Sequence, residues 1–208
     1  MLHRALLLFI KNPVPGKVKT RLAATVGPDR ALQLYLRMLA HTRNTALRTA
    51  ASRLVFYSDF VDEQDDWRRP DFEKMLQRGT DLGLRMHHAI ADALQHHSLA
   101  VLVGGDIPGL RADIIEAAFD ALEEADVVLG PAEDGGYYLI GMRAPHPEIF
   151  ENIHWSTPQV LAQTKERCHL AGCSVRLVDT LSDVDTEADW EKYVLSSFLQ
   201  DFDNQENK

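Results

Sequence analysis

Short, wholly apolar runs alternate along this chain with longer stretches whose apolar residues recur at helical spacing. Ala5 to Ile10 is the first such run. It stops abruptly at Lys11 and is too short for a helix, so it reads as a buried strand. Gly27-Pro28-Asp29 then supplies a turn, a proline suited to the first helical position and a carboxylate that favours the helix dipole. Leu32, Leu34, Tyr35, Met38, Leu39 and Ala46 follow as one apolar stripe and predict a long helix. Arg53 to Ser58 predicts a second strand, and the polar, Pro70-containing stretch from Asp59 to Phe72 an irregular surface with room for one short helix. From Lys74 the pattern predicts a short strand, the Gly79-Thr80-Asp81 turn, and a helix from about Leu82 to His96 capped by Thr80 or Asp81.

The second half continues the alternation. An apolar strand starting at Leu99 runs into Gly104-Gly105-Asp106, and Pro108-Gly109 turns the chain into a helix from about Arg111 to Glu123. Asp126 to Gly130 and Tyr137 to Met142 read as strands joined by a loop too short for a crossover helix, which predicts an antiparallel pair. Ser156-Thr157-Pro158-Gln159 reads as a capping box opening a helix that ends near Gly172, with a last strand at Val175 to Val178. Thr186 then caps a final helix, with Glu187 and Asp189 near its N-terminus, and residues 201–208 form a polar tail. The expectation is one α/β domain over residues 1–200 with a mixed, mostly parallel sheet.

Composition narrows the function. With 208 residues, 45% of them hydrophobic, and a formal net charge of -9, the chain can bury a sizeable core and repels nucleic acids and anionic membranes. A small metabolite is the expected partner. Cys168 and Cys173 are too few for a disulfide framework and form no C-x-x-C pair, so no structural zinc site is visible and a reducing compartment is expected. The first apolar run is short for a secretory segment, and no stretch approaches the ~18 apolar residues of a membrane span. A cytoplasmic protein is expected. Nothing in the pattern specifies an oligomeric state.

Against the acidic background, Lys11, Lys17, Lys19 and Arg21 stand in one loop after the first strand without an acidic neighbour. Pro13 and Pro15 stiffen that loop, and Gly16 permits a turn or a close ligand approach. At the carboxyl end of a strand, where open α/β sheets bind ligands, such a loop would grip phosphate. It is no Walker loop, lacking the upstream glycine and the Ser/Thr after Lys17. Asp106 follows a central strand, and Asp183 and Asp185 follow the last one, so cations and carboxylates share one sheet edge. That combination suits Mg2+ (or Mn2+) with a polyphosphate, with Asp106 and Asp185 as protein ligands. Gly83, early in a helix, suggests a close approach to its backbone. His87, His88, His96 and His97 are adjacent pairs that face different directions and read as helix surface.

Six segments in sequence carry a resemblance. They are FIKNPVPGKVKTRL, QRGTDLGLRM, GGDIPGL, GPAEDGGYYLIG, HWSTP and DVDTEAD, spread over nearly the whole chain. In order and spacing they resemble the DUF2064 glycosyltransferase-A-like family, within the nucleotide-diphospho-sugar transferase superfamily and near phospholactate guanylyltransferase. The resemblance implies a three-layer α/β/α Rossmann-like GT-A fold, a nucleotide pocket under the first loop, and a divalent metal between two aspartates. Carried over, Lys11, Lys19 and Arg21 handle the triphosphate, with Pro15 and Gly16 shaping their loop, and Asp106 and Asp185 hold the metal. Gly79, Asp81, Gly83 and Arg85 lie by the nucleotide. The sequence departs from the family pattern at Gly105, where Ser, Thr or Ala is common, and at Leu84, where Glu is common.

Three readings follow. In the first, a nucleotidyltransferase, an acceptor phosphate attacks the α-phosphorus of a nucleoside triphosphate and needs no general base, since Lys19, Arg21 and the metal neutralise charge. A glycosyltransferase using a nucleotide sugar is the second, with Asp134 as candidate base and Gly135, Gly136, Tyr137 and Trp155 as acceptor contacts. The third is a nucleotide-binding domain without catalysis.

Overall fold

A computed structural model describes residues 3–182, 184 and 188–191. Among these residues, seven strands form one sheet in the order β3-β2-β1-β4-β6-β5-β7. In chain order they are β1 (Arg4–Ile10), β2 (Ser52–Tyr57), β3 (Glu73–Leu76), β4 (Leu99–Gly104), β5 (Val127–Pro131), β6 (Tyr137–Met142) and β7 (Val175–Leu177). Every neighbouring pair is parallel except those made by β6, which runs antiparallel between β4 and β5. The mixed, mostly parallel sheet is therefore as expected, and its single reversed strand is the one that follows too short a loop to cross over.

The helices are α1 (Thr20–Val26), α2 (Pro28–Leu47), α3 (Leu82–Leu94), α4 (Ala112–Glu124) and α5 (Val160–Leu170), with a 3-10 turn at Pro147–Phe150. The strand period divides them between two faces. Leu6, Leu8 and Ile10 of β1 pack in one core with Leu34, Tyr35, Met38 and Leu39 of α2 and Ile114, Ile115 and Phe119 of α4. Ala5 and Leu7 point the other way, to a second core with Met86, Ala89 and Ile90 of α3, Ile149 and Phe150 of the 3-10 turn, and Cys168 of α5. Three layers result, and central strands apolar on both faces are the reason.

Three details differ from the sequence reading. Thr20–Val26 forms α1, a helix of seven residues with Leu22 buried, so Arg21 rides on a helix and the basic loop ends at Lys19. The stretch from Asp59 to Phe72 has no helix, and it buries Trp67 and Phe72 edge to face in the core. The capping box does not form: Ser156 has φ 63, Gln159 occupies the N-cap without a side-chain bond, and the Thr157 hydroxyl donates to His154 O at 2.7 Å. Elsewhere Asp81 caps α3 by accepting from Leu84 N, and Pro28 opens α2. Residues 188–191 are helical, whereas the expected cap Thr186 lies outside the described residues. Among the described residues no helix is long and apolar enough to cross a membrane.

Candidate active site

The site lies where the sheet changes direction of growth. From β1 the chain builds outward through β2 and β3, then returns to place β4 on the other side of β1. The crossover helix α2 packs on one face and α3 on the other. Loops leaving the carboxyl ends of β1 and β4 consequently part, opening the crevice expected at such a switch point.

The loop after β1 is held by its own backbone and by two buried side chains. Val14-Pro15-Gly16-Lys17 is a tight turn closed by Lys17 N to Val14 O at 3.0 Å, with Gly16 at φ 74. Proline then glycine at the two central positions is what a type II turn requires. A Cβ on Gly16 would meet nothing within 4 Å, so the glycine serves the turn and not a close approach. Tyr35 of α2 fixes the start of the loop: its hydroxyl accepts from Lys11 N at 2.9 Å and donates to Lys11 O at 3.0 Å. Burial, with the negative charge of Asp106 adding to it, raises the Tyr35 pKa far above its ordinary value and keeps that donor proton in place. Asn12, 2% exposed, ties the loop to the one after β2. Its side chain donates to Phe60 O at 2.8 Å and accepts from Asp59 N at 3.0 Å.

At the far end of the loop, Lys19 adopts a left-handed conformation (φ 45, ψ 49), and its carbonyl accepts from Ala23 N to begin α1. That backbone costs a residue with a Cβ about 1–2 kcal/mol. Lys19 Nζ lies 2.7 Å from Asp106 Oδ2, with the lysine side chain 5% and the aspartate 36% exposed. The ion pair spans the crevice from the β1 loop to the end of β4. Gly105, beside it, has Ile10 Cγ2 at 2.7 Å and Phe9 O at 3.2 Å from where a Cβ would stand, and its carbonyl accepts from the buried Thr42 hydroxyl. Here only glycine fits without movement of Ile10.

A cleft of about 520 Å3 opens over this pair. Lys11, Lys17, Lys19 and Arg21 line it, facing Asp106, Asp134, Gly136, Tyr137, Trp155 and Thr157 across the space. A smaller apolar recess of about 210 Å3 continues from it between Phe9, Leu82, Met86, Leu102, Ile107 and Tyr138, and shares Asp106 and Asp134. The wall from β5 is a tight turn in which Asp134 Oδ1 accepts from Gly136 N at 2.8 Å. Gly135 (φ 90) lies so close to the 156–159 segment that a Cβ would come within 2.2 Å of Pro158 O. Tyr137 presents its ring to the cleft while its hydroxyl is buried near Thr164, neither making a hydrogen bond of good geometry, and burial raises its pKa.

Of the sequence candidates, Lys11, Lys19, Arg21, Asp106, Asp134, Gly136, Tyr137 and Trp155 come together on this cleft. Pro15, Gly16, Gly79, Asp81, Gly83, Arg85 and Gly135 do not line it. Gly83 does admit a close approach, but by Trp155: a Cβ there would lie 2.6 Å from Trp155 Cζ2. The missing side chain lets the indole seat against α3 and form the cleft wall. Asp81 is spent on its cap, and Arg85 Nε donates to Gly79 O at 3.2 Å, so those residues brace the turn before α3. Leu181 bridges Ala132 and Val184 enters the core, while Asp183 and Asp185 themselves lie outside the described residues. Tyr35, Leu82 and Met86 also line the cleft; the sequence pattern places Tyr35 in an apolar helix stripe and Leu82 and Met86 within the helix from about Leu82, and gives none of them a role in the site. Asn12 carried no signal beyond preceding a proline.

Residues 39–157 match the family described as an uncharacterized protein conserved in bacteria, DUF2064. The chain belongs to this family. It is similar to a solved protein of Desulfovibrio desulfuricans G20 assigned to the nucleotide-diphospho-sugar transferases, at 35% identity and TM-score 0.82, covering 89% of this chain and 84% of the other. A phosphoenolpyruvate guanylyltransferase of Chloroflexus aggregans is 26% identical over 145 residues, 64% of this chain and 69% of that protein. One of Sphaerobacter thermophilus is 28% identical over 179 residues, 84% of this chain and 85% of its own length. This DUF2064 protein is thus a transferase with the nucleotide-diphospho-sugar transferase fold.

Proposed function

We propose that this DUF2064 protein transfers a nucleotidyl group from a nucleoside triphosphate to a small phosphorylated acceptor, with release of pyrophosphate. The observation that carries the reading is the composition of the cleft: four cationic side chains on the β1–α1 side, and no His or Cys among the described lining residues. Its carboxylates are engaged, Asp106 with Lys19 and Asp134 with Gly136 N–H. An acceptor phosphate is ionised at neutral pH and needs no base, so one of its oxygens can attack the α-phosphorus as the bond to the bridging oxygen breaks in line. The two guanylyltransferases support GTP as the first donor and a phosphorylated carboxylic acid such as phosphoenolpyruvate as the first acceptor to test.

In this reading Lys19 and Arg21 neutralise the charge that builds on the leaving pyrophosphate, and Lys11 and Lys17 hold the outer phosphates. Trp155, seated on Gly83, gives the cleft a flat aromatic wall for a base or ring. Asp106 offers a hard oxygen on the cleft wall, the donor that Mg2+ or Mn2+ prefers. The cation would be held by Asp106 and, from the sequence, Asp185, and would supply further charge neutralisation on the phosphates.

Phosphorus NMR tests the proposal, with each nucleoside triphosphate plus phosphorylated acceptors in one set and nucleotide sugars plus hydroxyl acceptors in the other. Pyrophosphate release in the first set is expected, and Asp134→Asn should retain most of it. Turnover confined to the second set, yielding a nucleoside diphosphate and abolished by Asp134→Asn, would establish glycosyl transfer with Asp134 as base instead.

A further inference from the structure

At the sheet edge opposite the cleft, three side chains from two loops converge on one point. β6 runs against its neighbours, so the chain leaving it passes through His146 and Glu148 at the amino ends of the parallel strands, where Cys173 lies just ahead of β7. His146 Nδ1 is 3.0 Å from Glu148 Oε1 and 3.5 Å from Cys173 Sγ, and all three atoms lie within 4.8 Å of one another. A single ring nitrogen has one in-plane direction for a proton or lone pair, so it cannot satisfy both neighbours by hydrogen bonding. A cation placed among the three would satisfy all of them.

The spacing fits such a cation. Zinc bonds of about 2.3 Å to sulfur and about 2.0–2.2 Å to nitrogen and oxygen give tetrahedral edges of about 3.6 Å for N···S and about 3.4 Å for N···O. The observed 3.5 Å matches the first edge, and the 3.0 Å contact need open by only a few tenths of an ångström. Both loops are also held in place before any ion arrives. Pro147 follows His146 and opens the 3-10 turn, which Ile149 and Phe150 anchor in the core. Cys173 follows Gly172 (φ 71) in a Schellman motif, with Gly172 N donating to His169 O at 3.1 Å and Cys173 N to Cys168 O at 2.9 Å. Burial, with the carboxylates of Asp126 and Glu148 adding to it, holds the Cys173 thiol above its ordinary pKa, and those two carboxylates make the same spot favourable to a positive ion.

We propose that His146 Nδ1, Glu148 Oε1 and Cys173 Sγ form a binding site for a thiophilic divalent cation, Zn2+ foremost, clipping the β6–α5 connection to the α5–β7 turn. On binding, the Cys173 thiol releases its proton to solvent and any proton on His146 Nδ1 moves to Nε2. A soft thiolate beside imidazole and carboxylate selects Zn2+ or Co2+ over Mg2+, which separates this site from any metal held at Asp106. Three protein ligands leave a fourth position to water.

The test is cobalt titration of the reduced, tag-free full chain, followed by thermal melts with Zn2+. Expected are a saturable near-ultraviolet thiolate-to-Co2+ absorption at one equivalent and, with Zn2+ at a hundredfold excess over Kd, a melting midpoint raised by about 5–10 °C. Cys173→Ser should abolish the band and the shift, His146→Gln should weaken Co2+ binding by about 10–100-fold or more, and Cys168→Ser and Asp106→Asn should leave both readouts intact. Circular dichroism of each variant separates lost binding from lost folding, and Cys168→Ser controls for the other thiol. No thiolate band at saturating Co2+, or a band that survives in folded Cys173→Ser, would overturn the proposal.

Discussion

Replacing Lys19 with Met tests the centre of the proposed site while keeping the aliphatic stem that packs at 5% exposure. The substitution removes the ammonium 2.7 Å from Asp106 Oδ2. Because Asp106 is 36% exposed, water can solvate the abandoned carboxylate. The stability loss should fall between that of a surface pair, about 0–1 kcal/mol, and that of a buried one, about 3–5 kcal/mol, and we place it at about 1–2 kcal/mol. The left-handed backbone at φ 45 strains Met as it strains Lys and so cancels in the comparison. On that scale the melting midpoint drops by about 2–8 °C. Function should suffer more, because a charge aimed at developing phosphate charge is worth about 10²–10³-fold in rate. Calorimetric titration with GTP and GMP at two salt concentrations should show the triphosphate preference shrinking and its salt dependence flattening, with urea unfolding run alongside. A folded Lys19→Met protein that keeps the wild-type ratio of triphosphate to monophosphate affinity, at both salts, would refute a phosphate-gripping role for Lys19.

Gly83→Ala would put a methyl group 2.6 Å from Trp155 Cζ2, and a fused indole can yield only by moving as a whole. Overpacking of about 1–3 kcal/mol less a helix gain of about 1 kcal/mol leaves a net loss of up to about 2 kcal/mol, expected together with altered tryptophan emission and a raised KM; unchanged emission and affinity would show that Trp155 does not form the wall. Asn12→Ala removes a donor to Phe60 O and an acceptor for Asp59 N, so urea unfolding should show a loss of about 2–4 kcal/mol with weaker triphosphate binding as the loop loosens. A loss below ~1 kcal/mol would mean that water replaces those bonds.

Local pattern alone decided a good deal about this DUF2064 protein. Leu6, Leu8 and Ile10 alternate with Ala5 and Leu7, and since both sets are apolar and the run is too short for a helix, it reads as a strand covered on both faces. The loop from Ala132 to Gly136 is too short to cross a sheet, which made β6 antiparallel. The basic loop stood out because its charge opposes that of the whole chain. Each signal lies within a few residues of its consequence.

What sequence could not supply are relations closed by distant segments. That β4 pairs on the side of β1 away from β2, so that the loops after β1 and β4 part over Lys19 and Asp106, depends on strand pairing over the whole sheet. Gly83 announced a close approach but not that Trp155 makes it, and Asn12 gave no hint of the bonds it forms beyond β2. α1 escaped notice because a helix of seven residues with Leu22 as its buried position shows too little periodicity. His146, Glu148 and Cys173 share no spacing motif at all. They meet because a reversed strand and a helix-ending turn deliver two loops to one edge, and such a meeting is set by chain topology and core packing, which no local period encodes.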